Sequence, residues 1–229
     1  MLITLYGLPL SILVILIRKF FLIRFQNTMS ERIGHFSTNL DLYLCEKKFN
    51  INKPKIKNYL DIFCLQKKIS NIFLKKKWSE KIIIFHYGLI IPIIDCLKFF
   101  NQFQYHEIKN NTNSDRDVHN LLDKTEPFIE LTDDENKKGF DALSEFGIYK
   151  DTKFVSIIIR DGNYFAQEFG NNKYDYRKIK NYKIETFYPA IKFLIERGYK
   201  VVIMGSNQNQ KINFKNDLIF DYSNSKIRS

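Results

Sequence analysis

Four short segments hold residue types able to grip a phosphate or move a proton. The first is Arg32-Ile33-Gly34-His35. A glycine at the start of a helix permits close backbone approach, and the N–H groups of a first helical turn attract anions. Arg32 adds a fixed charge, and the His35 imidazole is a candidate general base. The same residues also read as a tight turn capped by Ser37, with His35 simply exposed. The second segment is Arg160-Asp161-Gly162-Asn163-Tyr164. An Arg at the carboxyl tip of a strand holds a diphosphate through its planar fork. Asp161 then orients that Arg or acts on a hydroxyl; in the simpler reading the two form a surface ion pair in a turn. The third, Met204-Gly205-Ser206-Asn207, joins a strand to a small polar loop, a shape that suits a phosphate or a sugar. In the fourth, Tyr174, Tyr176 and Arg177 suit stacking on a sugar or base, or packing over a sheet edge.

Other chemistries find little support. Cys45, Cys64 and Cys96 are odd in number, lack CxxC spacing and lie in apolar runs. A disulfide framework or zinc site is not expected, and a reducing compartment is. The four histidines, at 35, 86, 106 and 119, form no HExxH-like pair. Asp115-Arg116-Asp117 and Asp133-Asp134 read as solvated and capping charge, so neither a metal nor a cofactor is expected.

Alternating apolar clusters supply the elements that must position these segments. Strands are expected at 21–25, 59–65, 81–87, 104–108, 153–160, 199–205 and 217–223. The run KIIIFHY at 81–87 has the β-branched character of a buried parallel strand. Helices are expected at 35–48, 69–78, 89–100 with Pro92 in the first turn, 132–147 and 184–198. Thr132 and Glu135 make a capping-box pattern, and Gly147 and Gly198 close the last two helices. Strand and helix alternate throughout, the pattern of an α/β protein with mainly parallel sheets. The first site segment follows the first strand, and the other three follow or precede strands of the second half. In open α/β sheets, ligands bind beyond the carboxyl ends of the strands.

Residues 2–17 carry no charge, somewhat fewer than the roughly 20 needed to span a bilayer as a helix. A short anchor, a helix in the membrane interface and a helix packed on the protein all fit. Arg18, Lys19 and Arg24 follow, which favours a cytoplasmic position for the rest. Membrane association is therefore expected.

The chain has 229 residues, 45% of them apolar, and a formal net charge of +11, which excludes disorder and points to an anionic partner. Its 28 Lys and 32 Ile stand against 8 Arg and 3 Ala, a skew matching the codon bias of an AT-rich genome. Few Arg remain for bidentate base contacts, so nucleic acid is not the expected partner. The Lys75-Lys76-Lys77 run reads as a solvated helix face or a patch meeting anionic lipid. Residues 101–152 hold twelve acidic and six basic side chains, an acidic block that marks a boundary between two halves. The second half has too few helices to cover both faces of a parallel sheet, so its domain reads as truncated.

Taken together, RIGHFSTNLDLYLCEK (32–47), IIIRDGNYF (157–165), YDYRKIKNYKIETFYPAIKFL (174–194) and GYKVVIMGS (198–206) resemble, in order and spacing, a family of bacterial glycosyltransferases of lipopolysaccharide and surface-polysaccharide gene clusters. The resemblance covers residues 21–229. It implies a GT-B-like architecture, with a Rossmann-like acceptor domain at 21–130 and the start of a nucleotide-sugar donor domain at 131–229, after the apolar membrane-associating helix that the uncharged run predicts at 1–20. It further implies transfer of a sugar from a nucleotide-sugar donor to a glycan or lipid-linked acceptor, at the cytoplasmic face of the inner membrane. Arg160 would bind the donor diphosphate, with Tyr164, Tyr176, Arg177, Gly205 and Ser206 beside it. Arg32 and Gly34 would contact substrate, and His35 or Asp161 would be the base. Ile203 stands where that family usually carries Arg, and the family continues beyond the segment corresponding to Asp221–Ser225. A non-catalytic binding or assembly protein is the alternative reading.

Overall fold

The structure is a computed structural model that describes residues 5–109, 116–159, 182–205, 212–213 and 215–225. Its strands form two three-stranded sheets, each parallel throughout, in two compact units, Met1–Glu130 and Leu131–Ser229. The protein is thus a mixed α/β chain built on two small parallel sheets.

In the first unit β1 (Leu22–Asn27), β2 (Tyr59–Cys64) and β3 (Ile83–Phe85) lie in the order β1-β2-β3. Side chains alternate across a strand, so each sheet face collects every second residue. Ile23, Phe25, Ile62 and Cys64 point to one face, covered by α1 (Gly7–Ile17) and α4 (Tyr87–Phe99) through Val14, Ile90, Ile94 and Leu97. Phe63 points to the other, under α2 (Ile33–Lys48) and α3 (Ile72–Ser79), where Phe36, Leu40, Tyr43 and Trp78 are buried. Two covered faces are what a parallel sheet requires. Asn71 caps α3, its Oδ1 accepting the Leu74 N–H at 2.7 Å.

Several expectations need correction. The run at 81–87 yields only a three-residue edge strand, with Ile83 and Phe85 exposed rather than buried. Pro92 lies in the second turn of α4, since the helix begins at Tyr87. Its missing N–H would have bonded the Gly88 carbonyl; the Tyr6 hydroxyl donates to that carbonyl instead. Residues Phe103–His106 form a helical turn, α5, not a strand. The His106 ring bonds the Ile23 carbonyl through Nδ1 at 2.7 Å, and Glu107 then makes an isolated parallel bridge to Phe25. Lys77 is buried, its ammonium 5.7 Å from the Phe73 ring centroid, so the lysine run is not uniformly solvated.

In the second unit β4 (Phe154–Ile158), β5 (Lys200–Met204) and β6 (Ile219–Asp221) repeat the same order. The helix expected at 184–198 is a 3-10 turn, Ile184–Phe187, followed by α7 (Tyr188–Glu196). Ile184 and Ile191 pack with Ile157, Ile159, Val201 and Ile203 to form this unit's core. Ahead of β4, α6 (Asp133–Ser144) opens with the complete capping box: Thr132 Oγ1 accepts from Glu135 N–H, and Glu135 accepts from Thr132 N–H.

Candidate functional site

The carboxyl end of the first sheet is assembled by the β1–α2 connection. Arg32 is the N-cap of α2, in extended conformation, and its own side chain makes no capping hydrogen bond. Ser37 lies inside the helix and is not the cap. The first turn therefore begins Ile33-Gly34-His35, with Ile33 and Gly34 exposed. A Cβ at Gly34 would meet nothing within 4 Å, so local packing does not demand the glycine. Its neighbourhood is open to an incoming group.

The loop leading to that turn is held by its own polar side chains. Thr28 donates through both N–H (2.8 Å) and hydroxyl (2.9 Å) to the Cys64 carbonyl. Ser30 is fully buried; its hydroxyl donates to the Lys68 carbonyl and accepts the Gln66 N–H, both at 2.9 Å. The Ser30 carbonyl accepts from Ser70 N–H at 2.7 Å. These bonds lock the β1–α2 loop to the loop after β2, and so fix where Arg32 and His35 start. Beyond the other edge of β1, Ile108 N–H donates to the Phe25 carbonyl at 3.1 Å. The chain thus flanks β1 on both sides, with β2 on one and the 107–108 bridge on the other. That reversal of direction is the switch point at which open α/β sheets leave a crevice.

Two features of this unit escaped sequence reading. His86 directly follows β3 at the same carboxyl end of the sheet. It caps α4, with Nδ1 accepting the Gly88 N–H at 3.3 Å, and its ring lies 4.4 Å from that of Tyr87. An apolar strand ending in His before a helix was the available signal. The second is a buried ion pair nearer the amino end. Arg24 and Asp61 stand opposite each other on β1 and β2. Nε and Nη2 of Arg24 donate to the two carboxylate oxygens at 2.7 Å each, and the Tyr43 hydroxyl donates to Oδ2 at 2.7 Å. Arg24 Nη1 bonds the Asn52 carbonyl at 2.9 Å, and the guanidinium lies 5.0 Å from the Tyr59 ring centroid. Burial, reinforced by the Asp61 charge, drives the Tyr43 hydroxyl far above its ordinary pKa. One Arg and one Asp at the centres of two neighbouring apolar strands were the legible signal. Beside the pair, an open groove of about 410 Å³ is lined by Tyr43, Lys47, Tyr59, Ser79, Lys81 and Ile83.

Of the other site residues named above, Gly205 ends β5 at φ +155°, a conformation that favours glycine. Arg160, Asp161, Tyr164, Tyr176, Arg177 and Ser206 lie outside the described residues. Ile203, at the place where the resembled family carries Arg, is fully buried in the second core. The three cysteines are free and buried. Burial pushes the Cys64 thiol up to about 11 and raises that of Cys45 as well, which leaves neither reactive. Among the described residues, no group of three or more His, Cys, Asp and Glu is arranged to hold a metal ion.

Comparison with known proteins finds no match for the chain among family models, curated proteins or solved structures. The described residues define a mixed α/β chain with two small parallel sheets.

Proposed function

We propose that the chain is a GT-B-like glycosyltransferase that uses a nucleotide-sugar donor and a surface-glycan or lipid-linked acceptor at the cytoplasmic face of a bacterial inner membrane. The observation that carries this reading is the placement of Arg32 at the N-cap of α2 and of Ile33-Gly34-His35 in its first turn, beyond the carboxyl end of β1 and next to the switch point. The second unit repeats the logic in its chain order. Arg160 follows β4 by two residues, and Gly205-Ser206 follow β5 directly.

In this reading the first unit binds the acceptor and the second the donor. Arg160 holds the diphosphate, with Tyr164, Tyr176, Arg177, Gly205 and Ser206 completing the donor site. Arg32 and the α2 amino terminus attract an anionic part of a substrate. His35 or Asp161 takes the proton of the acceptor hydroxyl as its oxygen attacks the anomeric carbon. The bond from that carbon to the diphosphate oxygen breaks, and the leaving group carries its electron pair away. Fixed cationic side chains and helix N-termini stabilise that charge.

A non-catalytic assembly role is the second reading, and Ile203 favours it, because a buried apolar residue makes no contact with a diphosphate. The experiment that separates the two is transfer of radiolabel from a panel of nucleotide sugars onto a bacterial envelope extract, followed with the wild type and His35→Ala. Labelled product that falls at least about a hundredfold in the variant supports catalysis by His35. Undiminished transfer moves the base to Asp161. Absence of transfer from every donor, with a folded chain, favours the assembly role.

A further inference from the structure

Helix α1 distributes its residues the wrong way round for a helix facing water. Its buried stripe is Gly7, Ser11 and Val14, and the Ser11 hydroxyl donates within the helix to the Leu8 carbonyl at 2.8 Å. Its exposed side carries Leu8, Leu10, Ile12, Leu13 and Leu16, the last 70% exposed. A water-facing helix turns its large apolar residues inward and its polar ones outward. Small residues inward and Leu and Ile outward is the partition of a helix whose outer surroundings are themselves apolar. Phe20, 80% exposed, extends the surface past the helix end.

The helix is also fastened to the body of its unit. A Cβ at Gly7 would come within 2.9 Å of Pro92, so only glycine permits this approach to α4. Tyr6 bonds the Gly88 carbonyl, and at the other end Arg18 donates to Gln102 Oε1 at 3.0 Å, with its guanidinium 4.4 Å from the Tyr105 ring centroid. Thus α1 runs alongside α4 in the same direction. Its 11 residues make about 16 Å of helix, roughly half a bilayer core, and no described helix is long and apolar enough to cross a membrane. Within residues 5–30 every charged side chain is basic, namely Arg18, Lys19 and Arg24, and on α4 the half-buried Asp95 stands one turn before the exposed Lys98. Lys19 is exposed just past α1, Lys98 is exposed in the last turn of α4, and the first acidic residue of the sequence is Glu31. Such a segment offers a second copy of itself no complementary charge, whereas anionic lipid headgroups complement it directly.

We propose that α1 is an in-plane membrane helix that docks the first unit on an anionic bilayer, with Leu13, Leu16 and Phe20 at the acyl boundary and Lys19 and Lys98 at the headgroup phosphates. This surface does not depend on the transferase reading. The test is flotation of the full chain with phosphatidylcholine vesicles, with and without phosphatidylglycerol. The wild type should float with the anionic vesicles, and the pair Leu13→Glu and Leu16→Glu should lower the partition coefficient at least about tenfold. Lys19→Glu, which leaves the apolar face intact, should lower it about fivefold on anionic vesicles only. Circular dichroism checks that each variant is folded. If the folded wild type fails to float with anionic vesicles, or both sets of substitutions leave flotation unchanged, the proposal is overturned. A dimer in light scattering that Leu13→Glu and Leu16→Glu converts to monomer, without vesicle binding by the wild type, assigns the face to a second copy and overturns it equally.

Discussion

The two units use the same strand order and solve the burial problem differently. In the first, helices cover both sheet faces, and the strands carry a buried Arg and Asp that must meet. In the second, β4 alternates cleanly: Val155, Ile157 and Ile159 face the core under α7, while Phe154, Ser156 and Ile158 are exposed. Among the described residues, the second unit buries no charged side chain, and its hydrophobic cluster is non-directional. The first carries a polar key that accepts one register of β1 on β2, because a slip by one residue would send Asp61 to the opposite face. Register in the first unit is thus specified by charge, and in the second by alternation.

Breaking the key should have the largest effect. Asp61→Ala leaves Arg24 buried without its carboxylate and should cost about 3–5 kcal/mol in urea unfolding, whereas replacing both partners with apolar residues of similar volume should recover most of that loss. In the second unit, Ile191→Ala, at a fully buried site, should cost about 2–5 kcal/mol. Amide exchange in β5 would report it locally. The pH response belongs to the first unit. Burial holds the His106 imidazole below its ordinary 6.5, with the Arg18 charge adding to this and the Ile23 carbonyl opposing it. As the pH falls through about 6.5, the unfolded chain takes up a proton that the native state resists. Stability should therefore decline below that point, by at most about 1.4 kcal/mol per pH unit, and His106→Gln should flatten the slope. Loss of the α6 cap in Thr132→Ala should cost about 1 kcal/mol by thermal melt. Smallest of all, Ile158→Ala on the exposed side of β4 should stay within about 0.5 kcal/mol, and a larger loss would mean that this face is covered.

How far the sequence was readable follows from where each signal is written. The capping box at Thr132 and Glu135 and the strands at β1, β2, β4 and β5 rest on neighbouring residues, and local physics decides them. KIIIFHY looked buried because its residues are apolar; its edge position depends on which strand pairs with it, which is a property of the whole sheet. QYHEI became a helical turn because a ring nitrogen of His106 reaches Ile23, 83 residues away. Arg32, Gly34 and His35 were legible because glycine and charge interrupt the passage from strand to helix. His86 was not, since it ends an apolar run that drew attention to its core instead. The partners Arg24 and Asp61 were visible as charges within apolar strands, but their meeting required the register.

The proposal that the chain handles a nucleotide-sugar donor is tested most directly by calorimetric titration of the chain with uridine, guanosine and thymidine diphosphates and cytidine monophosphate. At least one of them should bind, and Arg160→Ala should weaken that binding at least about tenfold, the loss expected for a charge-assisted diphosphate contact. If none of them binds the folded chain, or Arg160→Ala binds as tightly as the wild type, the donor-site reading is contradicted.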